Sequence, residues 1–475
     1  MYYDEMLTCL WPWVVFQEIS GLQPPAMGPE LLDRLVWPPQ SRNCILILFC
    51  WLLCMTIRVD AANLVFAHYM LWAPLYTNDV AGFQQEIQLA QKYGIDAFAL
   101  NTAVWDDEYQ TRADNIYQAA TGTDFKLFFS ADLSGGLTAQ NLQTMLTRYA
   151  HQDAQLYYQS KQFFSTFIGQ DTVFSGYSDP LSSWRDGVLQ PAGGNIFFVP
   201  FFVTDGSQSS VASVLSKFNS IIDGLFAWDT SAWPYFNGDY NNPSAADDMA
   251  YLAACRTAGK LYMASVSPWF FAHEQRENLV KGNYQGAGLW ISHWQQLIRL
   301  QPPLVEIITW NDWAERSYVV PVGTGWGAPA YNDTPFPHQA FLELGAYYIQ
   351  WYKSGAQPAI PKDSLFIFYY THSKNAVASN DNLGAVQNQQ VLDDQLHVTV
   401  LLTQPATVRL VSGSSSQDFS VDAGVQSVSI PFEEGQQSAV VLRNGANVLS
   451  LTGALPITNT ITTYDFNVYS NYIST

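Results

Sequence analysis

Val305-Glu306-Ile307-Ile308-Thr309-Trp310-Asn311-Asp312-Trp313-Ala314-Glu315 begins as a β-branched, apolar run and ends abruptly in a polar patch. The first half suits a buried strand, and the second half contributes nothing to one. A strand that stops at paired acids flanked by tryptophan predicts a parallel strand with chemistry at its C-terminal end. Aromatic planes stack on sugar rings, and paired carboxylates cleave glycosidic bonds. Taken alone, Asp-x-x-Glu is more often a helix cap beside a solvated Glu. The rest of the chain tips the balance the other way.

Working outward, similar apolar runs recur between amphipathic stretches. They begin with Leu64–Tyr69, Ile95–Leu100 and Lys126–Asp132, with a weaker fourth at Thr172–Ser175. Asn195–Phe201, Gly224–Asp229, Leu261–Val266 and Val305–Thr309 follow. Helical patterns fill the gaps at Val80–Tyr93, Leu137–His151, Val211–Ser220 and Ala245–Ala258. Near-continuous apolar strands alternating with helices imply a parallel sheet covered by helices. Eight such units fit an α/β fold of the (β/α)8 TIM-barrel type better than an open sheet, and no glycine-rich phosphate loop follows any strand. After Gly355 the pattern changes to short alternating runs, such as Leu396–Leu402 and Ala406–Val411, separated by Ser- and Gly-rich turns. That texture predicts a smaller C-terminal antiparallel β-sandwich. The expected division is 1–61, a catalytic barrel over 62–355, and an accessory sandwich over 356–475, joined by the linker Gly355–Lys362. The sandwich has few exposed-looking Trp, so a stabilising role is as reasonable for it as sugar binding.

Composition narrows the function classes. The formal charge of −20 argues against nucleic acid and anionic membranes, both of which need a basic patch. Sixteen Trp, 26 Tyr and 28 Phe beside only 13% charged residues fit a large core and a carbohydrate-holding surface. Cys9, Cys44, Cys50 and Cys54 precede residue 62, leaving Cys255 alone in a helical stretch as a structural thiol. The run Cys44–Met55, followed by Val59-Asp60-Ala61, reads as a secretory signal with an unusual upstream extension, and a type II membrane anchor is the runner-up. The chain is expected to be secreted to the medium or cell wall and to act as a monomer. Asn332-Asp333-Thr334 then becomes a glycosylation acceptor.

In a barrel of this kind the C-terminal strand ends carry the active site. Those ends supply His68, Tyr69, Asn101, Trp105 and Asp132, then Trp228, Asp229 and Trp269, and finally Trp310, Asn311, Asp312, Trp313 and Glu315. The set is rich in Trp and carboxylate. His68 has no His or Cys partner at ligand spacing, so no metal site and no cofactor are expected. No Gly-x-Ser-x-Gly elbow is present, which leaves serine catalysis without a candidate. Each Trp is also a candidate core residue, Asp229 is as good a helix cap as a sugar ligand, and Asp96 at a strand start reads as structural. Glu306, inside its strand, needs a partner if it points into the barrel.

Phe66-Ala67-His68-Tyr69-Met70, Gly94–Asn101, Phe129–Asp132 and above all Thr309-Trp310-Asn311-Asp312-Trp313-Ala314-Glu315-Arg316-Ser317-Tyr318 resemble glycoside hydrolase family 71, the fungal endo-α-1,3-glucanases or mutanases. The resemblance covers roughly 63–355 and departs at Ala314, where Gly is expected. It implies hydrolysis of internal α-1,3 bonds in α-1,3-glucan with inversion of the anomeric centre. Asp312 and Glu315 are the matching carboxylates, with Asp132 as a third functional acid. Glu315 is assigned as the acid and Asp312 as the base, although an exchange of roles is open at this point. Inversion asks for carboxyl groups about 6.5–9.5 Å apart, and retention for about 5–5.5 Å. The competing readings are an inert glucan-binding wall protein and a retaining glycosidase acting on another glycan.

Overall fold

The computed structural model describes residues 63–475, apart from 229–231 and 237. The N-terminal signal reading and Asp229 therefore lie outside the described residues. Eight parallel strands run in sequence: β1 (Leu64–Met70), β2 (Ala97–Thr102), β3 (Lys126–Asp132), β4 (Lys161–Phe167), β5 (Ile196–Phe198), β6 (Gly224–Phe226), β7 (Leu261–Val266) and β8 (Leu304–Ile307). β1 to β5 pair consecutively, β6 pairs with β7 and β7 with β8, and β8 returns to pair with β1. The result is a curled parallel sheet. Between β5 and β6 the ladder thins to an isolated parallel bridge, Phe201 to Phe226, with the Phe226 N–H donating to Pro200 O at 2.9 Å.

The fourth strand corrects the expectation at Thr172–Ser175, which is a loop, whereas β4 lies at Lys161–Phe167. Its Gln162, Ser165 and Thr166 are buried polar residues that broke the apolar run in the sequence. Helices pack outside the sheet over Val80–Lys92, Asp107–Ala120, Ala139–Tyr149, Gln208–Lys217, Ala245–Ala258, Gly288–Leu300 and Gln339–Ser354. The first five start at a capping side chain (Asp79, Asp106, Thr138, Ser207 and Ser244) that accepts from a backbone N–H in the first turn. Cys255 is buried in its helix.

Strand alternation sorts side chains into two layers. Phe66, Phe128 and Phe163 meet one another inside the curl, with ring centroids 4.7–5.8 Å apart. Tyr69 faces outward onto Phe83 and Phe98.

The C-terminal part holds two antiparallel four-stranded sheets. The first orders β13 (Gly424–Pro431), β10 (Gln395–Leu402), β9 (Ser364–Tyr370) and β16 (Val468–Ser474). The second orders β12 (Ser415–Val421), β11 (Ala406–Ser412), β14 (Gln437–Arg443) and β15 (Ala446–Thr452). Leu365, Ile367, Val398, Leu410 and Val441 fill the space between them. Phe366, Phe368 and Tyr370 on the other face of β9 join the core of the parallel-sheet part, Phe368 lying 4.9 Å from Phe341. β9 is thus buried on both faces, which explains its unbroken apolar sequence.

Candidate active site

β8 ends at Ile307, and the chain then turns through the Trp310–Glu315 loop. Three contacts set that turn. The Trp310 N–H donates to His68 O at 2.8 Å, the Asp312 N–H to Thr309 Oγ1 at 2.9 Å, and the Glu315 N–H to Asp312 Oδ1 at 3.1 Å. Asn311 stitches the turn to the loop after β1: its Nδ2 donates to Met70 O (3.0 Å) and Ala73 O (2.7 Å), while its Oδ1 accepts from Met70 N (2.7 Å).

Asp312 and Glu315 line one cleft of about 690 Å³ together with Met70, Trp72, Tyr331 and the stretch Glu274–Glu277. Glu274–Glu277 is the tip of a hairpin, Phe271–His273 paired with Asn278–Val280. Asp312 is only 6% exposed. Burial pushes its carboxyl up from the usual range, opposed by the Glu315 N–H, by His68, by the Ala314 N–H and by Arg316.

Within the curl, Glu306 has the partner the strand demanded. His68 Nδ1 sits 2.7 Å from Glu306 Oε1, and both side chains are buried. Burial raises the Glu306 carboxyl, and His68 acts against that rise. Trp228 packs edge-on against His68 at 4.5 Å. His68, Glu306 and Trp228 therefore form one group at the strand ends.

Asp132 ends β3, where its Oδ1 accepts from Ser134 N at 2.8 Å, and it does not line the cleft of Asp312 and Glu315. Asn101 is buried at the end of β2, and Trp105 packs on Phe129 and Tyr149.

Five of the proposed sugar contacts face elsewhere. Tyr69 is fully buried and donates to Glu86 Oε1 (2.9 Å), and Trp310 is likewise buried and donates to Glu86 Oε2 (2.8 Å). Trp269 points to the C-terminal part, its Nε1 donating to Phe466 O at 3.2 Å. Trp313 is buried against Tyr318 at 4.2 Å, and Asn311 is consumed by the backbone bonds described above. Alternation put Tyr69 on the outer face, and turn packing took the others. In the structure these five side chains make packing and hydrogen-bond contacts within the protein.

Residues that sequence reading passed over complete the site. Arg316 donates to Ala314 O (3.0 Å) and Tyr331 O (3.2 Å) and lies 3.4 Å from Asp333, whose carboxyl burial lifts to about 7. Trp72, Trp326 and Tyr331 cluster beside the cleft, with centroids 5.1 and 6.0 Å apart.

Glu86 anchors the outer face of this end, and burial lifts its carboxyl from 4.5 to about 7. A folded-state value above the unfolded one means that protonation favours the fold. The contribution is full below about pH 4.5 and is lost as pH rises through about 7, a change of about 3 kcal/mol. The Tm advantage of the parent over Glu86→Gln should therefore be largest near pH 5 and shrink toward pH 8. A constant advantage, or one growing with pH, would contradict a buried, proton-holding Glu86.

A family model described as Glycosyl hydrolase family 71 matches residues 61–475, so the match extends beyond the barrel-like part through both C-terminal sheets. A glucan endo-1,3-alpha-glucosidase of Schizosaccharomyces pombe is 35% identical over 425 residues, covering 87% of this chain and 95% of the relative. A mutanase of Penicillium rubens is 32% identical, covering 85% and 87%. An ascus wall endo-1,3-alpha-glucanase of Schizosaccharomyces pombe is 30% identical, covering 86% and 97%.

Proposed function

The chain belongs to glycosyl hydrolase family 71, and from that premise we propose that it hydrolyses α-1,3-glucosidic bonds within α-1,3-glucan and inverts the anomeric centre. The observation that carries this reading is Asp312 and Glu315 on one turn, both lining one cleft. The names of the relatives support the substrate.

The surroundings of Asp312 support the following division of roles. Burial raises the Asp312 carboxyl, and the groups that oppose the rise and support its ionised form are two backbone N–H groups, His68 and Arg316. That environment suits the base, which takes a proton from water as the water attacks the anomeric carbon. Glu315 donates its proton to the departing glycosidic oxygen as the carbon–oxygen bond breaks. His68, oriented by Glu306, positions sugar hydroxyls with Asn101, Trp105, Trp228 and Asp229, and Asp132 is a third acid across the strand ends. The Phe201–Phe226 bridge supports closure of the parallel sheet as a (β/α)8 barrel over 62–355, with 356–475 as the second domain. No described helix is long and apolar enough to cross a membrane. We place the protein outside the cell or in the wall, as a monomer delivered by its N-terminal segment.

Incubating the protein with insoluble α-1,3-glucan should release soluble reducing ends, and β-1,3-glucan should release none. Tight binding to α-1,3-glucan without release would instead support an inert wall-binding protein.

A further inference from the structure

Among the described residues, Trp326 is the one exposed tryptophan, with half its surface in water. It is not an isolated surface ring. Its centroid is 5.1 Å from Trp72, which in turn lies 6.0 Å from Tyr331, and Trp72 and Tyr331 line the cleft of Asp312 and Glu315.

The backbone is built to hold this arrangement. Trp326 stands between Gly325 and Gly327. A Cβ at Gly325 would lie 2.1 Å from Pro74 O, and one at Gly327 would lie 2.2 Å from the Trp313 ring. Both are distances no side chain tolerates, so Gly325 lets the Trp326 loop dock on the loop after β1, and Gly327 lets it pack on the Trp313 ring of the turn after β8. The Gly325 N–H then donates to Leu75 O at 2.9 Å. From the other side Arg112, itself buried, donates to Leu71 O (3.2 Å) and Trp72 O (2.7 Å). Tyr331 is fixed by Arg316, whose guanidinium lies 5.6 Å from its ring centre and bonds its carbonyl. Two loops are thus clamped so that three aromatic rings stand together at the rim of a polar, acid-bearing cleft. Large apolar faces left partly in water beside sugar-cleaving acids suit the apolar faces of pyranose rings.

We propose that Trp72, Trp326 and Tyr331 form an aromatic subsite that stacks on a glucose ring of the α-1,3-glucan chain in the catalytic cleft. This rests on the glucanase reading. Trp326 supplies affinity for the polymer and takes no part in bond breaking, so its loss separates binding from chemistry.

The test compares the full-length parent with Trp326→Ala and Trp326→Tyr on dispersed α-1,3-glucan, measuring initial rates against substrate concentration. Trp326→Ala should raise KM about tenfold with kcat changed less than about twofold, and Trp326→Tyr should recover most of the affinity. An unchanged KM in Trp326→Ala, or a fall in kcat alone, overturns the subsite while the glucanase reading stands. A parent that cleaves no α-1,3-glucan overturns both.

Discussion

Asp312→Asn and Glu315→Gln should each lower α-1,3-glucan hydrolysis about 10²–10⁴-fold, the usual worth of a positioned acid or base, with glucan binding retained. Asp312→Asn has a second expected effect, on stability. Asp312 is buried, and burial opposes its charge. Asparagine keeps an oxygen to accept the Glu315 N–H bond seen at 3.1 Å and brings no charge into the site. Asp312→Asn should therefore unfold at the same temperature as the parent or a higher one, the pattern expected where a site is kept for chemistry at the expense of stability. The pH profile follows with its sign fixed. A base must be ionised, so a raised carboxyl moves the acidic limb of kcat/KM above the pH at which an ordinary aspartate would titrate. Normal activity in Asp312→Asn, or a Tm several degrees below the parent, would contradict this account of the residue.

The second large effect concerns the C-terminal sheets. Removal of residues 356–475 should leave no soluble, active protein. Phe366, Phe368, Tyr370, Phe466 and Val468 are buried in the same core as Trp269, Phe341 and Phe271. At about 2 kcal/mol for each buried side chain, five of them contribute on the order of 10 kcal/mol. That is as large as the whole stability of an ordinary domain, about 5–15 kcal/mol.

The contact also reaches the turn that carries Asp312 and Glu315. Asn467 donates to Tyr318 Oη and to Asp333 Oδ1, both at 3.0 Å, and meets His338 Nε2 at 2.9 Å. Asp333 in turn pairs with Arg316, one residue beyond Glu315. On the other wall, His273 of the cleft hairpin sits 2.9 Å from Asp381 in the C-terminal part. A milder probe is Asn467→Ala, which leaves several buried polar groups without their partner. It should cost about 2–4 kcal/mol and reduce activity in the protein that remains folded. A truncated protein that stays soluble and cleaves glucan at the parent's rate would overturn this view, and the C-terminal sheets would then be a mere appendage.

How far the sequence was legible follows from what each residue had to satisfy. β1, β2 and β3 could be placed because strands covered on both faces are nearly all apolar. β4 could not, because Ser165 and Thr166 are buried there without apolar character, and the apolar Thr172–Ser175 run drew the assignment into a loop. Asp312 and Glu315 stood out because acids gain nothing at the end of a buried strand. Glu306 announced its need for a partner, and His68 supplies it at 2.7 Å.

The aromatic contacts were harder to assign, since whether a ring faces sugar or core is decided by pleat and turn. Tyr69 and Trp310 turned outward to Glu86, and Trp269 turned toward Phe466. Trp72, Trp326 and Tyr331 lie in loops, where no periodicity points to them. The signal that was available is Gly323-Thr324-Gly325-Trp326-Gly327, a tryptophan set among glycines that only a close backbone approach would require.

In the proposed reaction an acid and a base act on opposite sides of the sugar to cleave an α-1,3 bond. The most direct measurement follows the first minutes of hydrolysis of an α-1,3-linked gluco-oligosaccharide by proton NMR, reading the anomeric signal of the new reducing end. Inversion should deliver the β-anomer first, which then equilibrates. Early appearance of the α-anomer would mean retention through a covalent intermediate, and the assignment of Asp312 as a base acting on water would be wrong.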